Sequence, residues 1–304
     1  MITHLPVLLR EVMEILEPER GGVYVDATVG LGGHSREILR RMGPKGFLVG
    51  IDRDEEALKV AQAALASDKE KGVFVFSAPF ELRHARFSEL DSVLDGLGLS
   101  NVEGFFFDLG VSMLQLKGAD RGFSFNSDEP LDMRMDKKNL SITASDVLGT
   151  YPEAELRRIF SEYGEERYSG RIARQIVFLR KKGTPVRTGR ELARVALSAY
   201  HGGGREKIHP ATRIFQALRI EVNRELEELK AGLEISLRRL SKGGRIAVIS
   251  YHSLEDRIVK HFLKDAARDG KLLLLSKKPV RPDLRETREN PAARSAKLRG
   301  AERL

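Results

Sequence analysis

The chain has no cysteine among its 304 residues, which excludes disulfides, thiolate catalysis, iron–sulfur clusters and cysteine-ligated zinc. Its seven histidines are scattered and form no H-x-x-x-H pair, so no metal site is expected, and carboxylate-bound magnesium is the one route left open. No apolar run approaches the roughly eighteen residues that span a bilayer. The opening Met1-Ile2-Thr3-His4-Leu5-Pro6 lacks the charged, apolar and small-residue order of a secretory signal. The expectation is a globular, cytoplasmic protein with no membrane partner, and 41% hydrophobic residues suffice for a core.

A dinucleotide fingerprint is also incomplete. The stretch Tyr24-Val25-Asp26-Ala27-Thr28-Val29-Gly30-Leu31-Gly32-Gly33-His34 couples an apolar strand to a glycine-rich turn and a helix, but Ser35 stands where G-x-G-x-x-G needs its last glycine. About twenty residues on, Phe47-Leu48-Val49-Gly50-Ile51-Asp52 ends in an acid, where an α/β sheet presents a carboxylate to a ribose diol. Together these favour an adenosine-containing ligand, with S-adenosylmethionine ahead of NAD. Alone, the glycines fit an ordinary strand-to-helix turn equally well.

The net charge of +8 is uneven. Residues 277–304 carry nine Lys and Arg against four Asp and Glu, and residues 117–207 carry eighteen against thirteen. Two basic regions in a near-neutral remainder fit contact with phosphates, the alternative being a solvated surface.

Apolar runs at 23–27, 47–51, 73–77, 104–108 and 245–250 alternate with helical patterns, as in a parallel βαβ sheet. Runs at 272–276 and 296–299 supply a final antiparallel pair. The gap before residue 245 far exceeds one crossover helix, so a mainly helical substrate-recognition subdomain is expected over 117–207, with 1–116 and 208–304 forming the main domain. Capping boxes mark helix starts at Thr143 with Asp146 and at Thr188 with Glu191. In a helix over 167–182, Arg167, Arg171 and Arg174 form a stripe beside apolar Ile172, Ile176 and Leu179, suited to an RNA backbone or simply to solvent. Residues 117–136, which include Arg134, read as a lid or a linker. After Pro210 one long helix is expected to lay Ile214, Leu218, Val222, Leu226, Leu229, Leu233, Leu237 and Leu240 on the sheet. Beside that stripe, Thr212, Gln216, Arg219 and Asn223 make a polar row that either fastens loops or lines a substrate pocket. Ser253 with Asp256 fits a further cap, and Tyr251 and His252 stand at a strand end.

Methyl transfer from a sulfonium is an in-line displacement that alignment alone accelerates. An amine on a base is a poor nucleophile until an acceptor draws on its hydrogen. Asp108, ending Phe106-Phe107-Asp108-Leu109-Gly110-Val111-Ser112, is placed to do this or to hold the cofactor.

With these residues in view, the chain resembles the bacterial small-subunit ribosomal RNA methyltransferase family that modifies N4 of a cytosine, the RsmH or MraW family. The matching stretches are 4–11, 26–35, 51–54, 105–112, 121–125, 130–136, 163–174, 209–226, 250–259 and 290–295. The resemblance implies a class I S-adenosylmethionine-dependent methyltransferase, a Rossmann-like α/β fold with a seven-stranded, mostly parallel sheet and an inserted helical subdomain. It implies a decoding-region cytosine of an assembled small subunit as acceptor. It puts cofactor residues at Gly32, Gly33, His34, Asp52, Phe80, Asp108 and Gln115, with Gly30 in the same turn. Phe80, read as just following the third strand, would stack on adenine. The family has Ser-Pro where this chain has Met113-Leu114. RNA contacts are expected from Arg134, Arg167, Arg171, Arg174, Arg219, Asn223, Lys277 and Lys278, from a monomer or homodimer. The competing readings are a protein or small-molecule amine as acceptor, or a catalytically silent RNA-binding assembly factor.

Overall fold

The computed structural model describes residues 5–71, 78–118, 121–200 and 209–304. Its strands are β1 (Val23–Asp26), β2 (Phe47–Asp52), β3 (Phe80–His84), β4 (Val102–Asp108), β5 (Leu240–Ser250), β6 (Leu272–Leu274) and β7 (Lys297–Arg303). The helices are α1 (Leu9–Leu16), α2 (Gly33–Met42), α3 (Glu55–Lys71), α4 (Leu90–Gly96), α5 (Met113–Lys117), α6 (Ala144–Thr150), α7 (Glu153–Glu162), α8 (Ser169–Lys181), α9 (Gly189–Ser198), α10 (Ala211–Asn223), α11 (Glu225–Arg239), α12 (Ser253–Arg268) and α13 (Leu284–Glu289). The chain divides into two compact units, residues 1–110 with 226–304, and residues 111–225. The second is wider than the 117–207 read from sequence, because the loop after β4 and all of α10 belong to it.

The first unit holds one seven-stranded sheet in the order β3-β2-β1-β4-β5-β7-β6, parallel except where β7 runs antiparallel to both neighbours. A continuous apolar run such as Phe105-Phe106-Phe107 is what a central parallel strand needs, since both faces are covered, and all three are fully buried. Gly104 makes room for its β1 partner Tyr24, whose ring fills the space a Cβ would take. Strand order reverses between β1 and β4, so the carboxyl ends of β1, β2 and β4 border a topological switch point, where open α/β sheets bind ligands.

Two readings change here. The expected strand at 73–77 lies outside the described residues, and the strand beside β2 is β3, which Phe80 opens. The long helix after Pro210 is two helices, broken at Arg224 with φ +50°. Its apolar stripe divides accordingly. Leu229 and Leu233 are buried with the strands of the sheet, whereas Ile214, Leu218 and Val222 enter the core of the helical unit.

That second core also takes in Leu156, Phe160, Ile172 and Ile176, and both expected capping boxes form, at Thr143 and Thr188. The segment 121–136 is not a bare linker: Phe123, Leu131, Met133 and Met135 are buried in the same cluster. Gly122, at φ +68°, brings backbone to backbone, since a Cβ there would lie 2.5 Å from Asp132 N and Pro130 O.

Candidate active site

The glycine turn hangs on a single buried acid. Asp26, at the end of β1, accepts the Thr28 N–H (3.0 Å) on one oxygen and the Ser35 hydroxyl (2.6 Å) on the other, so one carboxylate holds both ends of the turn. Ser35 occupies the missing glycine's place because its hydroxyl is needed here. Burial pushes the Asp26 carboxyl up to about 6, with the Ser35 bond pulling the other way. Sequence reading gave Asp26 no role, although an acid closing an apolar strand two residues before a threonine is an Asx-turn signal. Thr28 carries the chain of contacts further, its Oγ1 accepting the Asp108 N–H at 2.7 Å.

Within the turn, Gly30 and Gly32 adopt φ +52° and +83°, a region that favours glycine. The Gly32 N–H donates to Val29 O at 2.7 Å and Gly32 precedes α2 as its N-cap. A Cβ on Gly33 would lie 2.7 Å from Pro6 Cγ, whereas one on Gly30 would have only Thr28 O within reach, at 3.9 Å. The space over Gly30 is therefore open to a ligand that approaches the backbone closely.

Asp52 ends β2 with its oxygens accepting the Gly30 N–H (2.8 Å) and the Asp54 N–H (2.9 Å). Burial raises its pKa, partly offset by these two donors. A carboxylate has about four acceptor positions, so capacity for a diol remains. Phe80 is placed differently from the expectation. It pairs with Leu48, while Asp52 pairs with His84 four residues on, roughly 13 Å along the strand. The aromatic that follows the third strand is Phe87. Its ring stands edge-on to Phe107 at 5.2 Å and lies 5.8 Å from the Arg53 guanidinium, next along the chain from Asp52.

Asp108 ends β4 beside β1. Its Oδ1 accepts the Tyr251 hydroxyl at 2.7 Å, and its Oδ2 lies 3.6 Å from His34 Nδ1. His34 Nε2 sits 3.0 Å from Val7 O, which can only accept, so that nitrogen carries the ring hydrogen in the neutral form. Burial lowers the His34 pKa and keeps the ring neutral. Burial, and then the charge of Asp108, push the Tyr251 phenol far above its usual range, so it keeps its proton and donates. His252, by contrast, is the N-cap of α12 in a reciprocal box with Glu255; Ser253 is not the cap, and Asp256 instead binds Lys297 (2.9 Å) and Arg299 (2.8 Å).

Several expected ligand-facing side chains make hydrogen bonds or ion pairs within the helical unit. Gln115 is buried, its Oε1 accepting the Ser112 N–H at 3.0 Å in the cap of α5, which starts at the divergent Met113-Leu114. Arg134 forks onto Asp132 at 2.7 and 2.9 Å and donates to Leu140 O. Arg219 pairs with Glu225 at 2.9 Å. Asn223 accepts the Met135 N–H (2.8 Å) and donates to Met133 O (2.8 Å) and Arg219 O (2.9 Å), while Gln216 donates to Tyr163 O. The polar row thus fastens loops. Arg167, Arg171 and Arg174 are exposed. Arg167 lies just ahead of α8, its guanidinium over the Tyr168 ring at 4.7 Å, and Arg171 donates to Ala199 O at 2.7 Å. Arg174 stands 3.6 Å from Glu153, and Lys277 and Lys278 are exposed after β6.

This sheet order, with a glycine turn and acids at the carboxyl ends flanking the switch point and an antiparallel final pair, defines a class I, Rossmann-like methyltransferase. The entire chain, residues 1–304, matches the model of the MraW methylase family. Ribosomal RNA small subunit methyltransferase H of Caldicellulosiruptor saccharolyticus is 46% identical over 319 residues, covering 100% of both chains. The protein of the same name from Persephonella marina is 47% identical over 305 residues, again covering 100% of both. The chain belongs to the MraW methylase family.

Proposed function

We propose that this protein transfers a methyl group from S-adenosylmethionine to the exocyclic N4 amine of a cytidine in small-subunit ribosomal RNA, in the decoding region of an assembled subunit. The observation that carries the reading is the convergence of the open Gly30 turn, Asp52 and Asp108 on the carboxyl ends of β1, β2 and β4 in a chain of this family.

When bound, S-adenosylmethionine supplies an electrophilic methyl on a sulfonium. Asp52 takes the ribose hydroxyls, the backbone of Gly30, Gly32, Gly33 and His34 runs along the methionine moiety, and Phe87 offers its ring to the adenine. Asp108 accepts the hydrogen of the incoming amine, which frees the nitrogen lone pair for in-line attack. Arg167, Arg171, Arg174, Lys277 and Lys278 meet backbone phosphates. Extracting the base from its stack costs a few kcal/mol, which such contacts offset. The cytoplasm, where small subunits are assembled, is the site of action.

The test is transfer of labelled methyl from S-adenosylmethionine to small subunits purified from cells lacking the enzyme. Label that ribonuclease removes from the acid-insoluble fraction supports an RNA acceptor. Label that survives ribonuclease points to a protein, and tight cofactor binding without transfer points to a silent assembly factor.

A further inference from the structure

The two oxygens of Asp108 sit in unlike surroundings. Oδ1 receives the Tyr251 hydroxyl at 2.7 Å, whereas Oδ2 faces the unprotonated Nδ1 of His34 at 3.6 Å, its ring fixed by Val7 O and packed 4.6 Å from the Phe106 ring. Tyr251 is itself held at three points. Its backbone N–H donates to buried Glu255 at 2.8 Å, its ring lies against Gly110, where a Cβ would approach Cδ2 to 3.2 Å, and its hydroxyl ends on Asp108. Gly110, at φ +126°, is thus the residue that lets the ring reach the end of β4.

We propose that Tyr251 is a positioning residue of the methyl transfer: its hydroxyl anchors Oδ1 of Asp108 and so fixes the orientation of the carboxylate that takes the hydrogen of the reacting amine. The step balances. The methyl carbon bonds to N4 as its bond to sulfur breaks, the sulfonium leaves as a neutral thioether, and the N4 proton passes to the Asp108 carboxylate. Besides His34 from α2, Asp26 from β1 acts on this carboxylate, and Glu255 and Glu286 act on the phenol.

The inference rests on Asp108 being the acceptor, so the experiment pairs Tyr251→Phe with Asp108→Asn in steady-state methylation of small subunits. The Phe variant keeps the ring against Gly110 and removes only the donor. Expected for Tyr251→Phe is a kcat lower by about tenfold to a hundredfold, with KM for subunits and calorimetric affinity for S-adenosylmethionine within about twofold of wild type. The acid limb of its rate–pH profile moves to higher pH, because a hydrogen bond to the charged form has been lost. A purely structural role would not move that limb. A kcat within about twofold of wild type, or an unmoved acid limb, beside an inactive Asp108→Asn overturns the role of Tyr251 and leaves Asp108 standing. Near-normal turnover by Asp108→Asn overturns the reading of Asp108 itself.

Discussion

Replacing Asp26 by Asn flattens one component of the protein's pH dependence, and the size follows from burial. The side chain is fully buried, and its carboxyl titrates at about 6 when folded against 3.8 as the ordinary value. A shift of about two units corresponds to roughly 3 kcal/mol. The folded pKa is the raised one, so the folded protein binds the extra proton between about pH 4 and 6. The stabilisation is complete below the unfolded value and is lost as pH rises through the folded one. In Asp26→Asn, Oδ1 still accepts from Thr28 N–H and Nδ2 donates to the Ser35 hydroxyl, so the turn keeps both attachments. The assay is urea denaturation of both proteins at intervals from pH 4 to pH 7.5. Carboxylates with lowered pKa, such as Glu37, Asp132 and Asp256, lose stabilisation as pH falls, but they are common to both proteins and cancel in the difference. Stability of wild type relative to the variant should fall by about 2.4 kcal/mol from pH 4 to pH 7, most of that total. A flat difference across that range refutes the claim that burial dominates the energetics of Asp26.

Asn223→Ala strands the Met135 N–H and the Met133 carbonyl in the core of the helical unit and should cost about 2–5 kcal/mol, read as a lower urea midpoint with increased hydrogen exchange over residues 131–136. Asp52→Asn substitutes an amide for the carboxylate that accepts the Gly30 and Asp54 N–H groups, and calorimetry should find affinity for S-adenosylmethionine reduced at least tenfold, about 1.4 kcal/mol, with little change in affinity for the subunit. Arg174→Ala should weaken subunit binding and lower the slope of log affinity against log salt by about one, whereas Arg134→Ala, whose fork is closed on Asp132, should show up as lost stability instead of a changed slope.

The sheet was legible because its strands are unbroken apolar runs ending in chemistry: β1, β2 and β4 stand where the runs at 23–27, 47–51 and 104–108 put them, and Asp52 and Asp108 close two of them. The third strand was less legible: the run at 73–77 lies outside the described residues, and β3 over 80–84, Phe80-Glu81-Leu82-Arg83-His84, alternates instead of running apolar, so that only its pairing with β2 marks it as a strand. Phe80 accordingly opens a strand instead of following one, and Phe87 is the aromatic that comes after it. The break at Arg224 escaped for a related reason: leucines and isoleucines keep their three-and-four spacing across it, so the stripe carries no sign that its halves serve different cores. Side chains that bond backbone across long sequence separations, as Asn223 does 88 residues from Met135, leave no local signature at all. The tie between Tyr251 and Asp108, spanning 143 residues, is of the same kind: their strand ends could be read, their hydrogen bond could not.

The most direct measurement is the identity of the methylated nucleoside. Small subunits from cells lacking the enzyme are incubated with the protein and S-adenosylmethionine, the RNA is digested, and the product is resolved by mass spectrometry against N4-, C5- and N3-methylcytidine standards. N4-methylcytidine formed by wild type and missing with Asp108→Asn is the result this account requires; a methyl group on C5, N3 or any other atom contradicts an acceptor built to draw the hydrogen from an exocyclic amine.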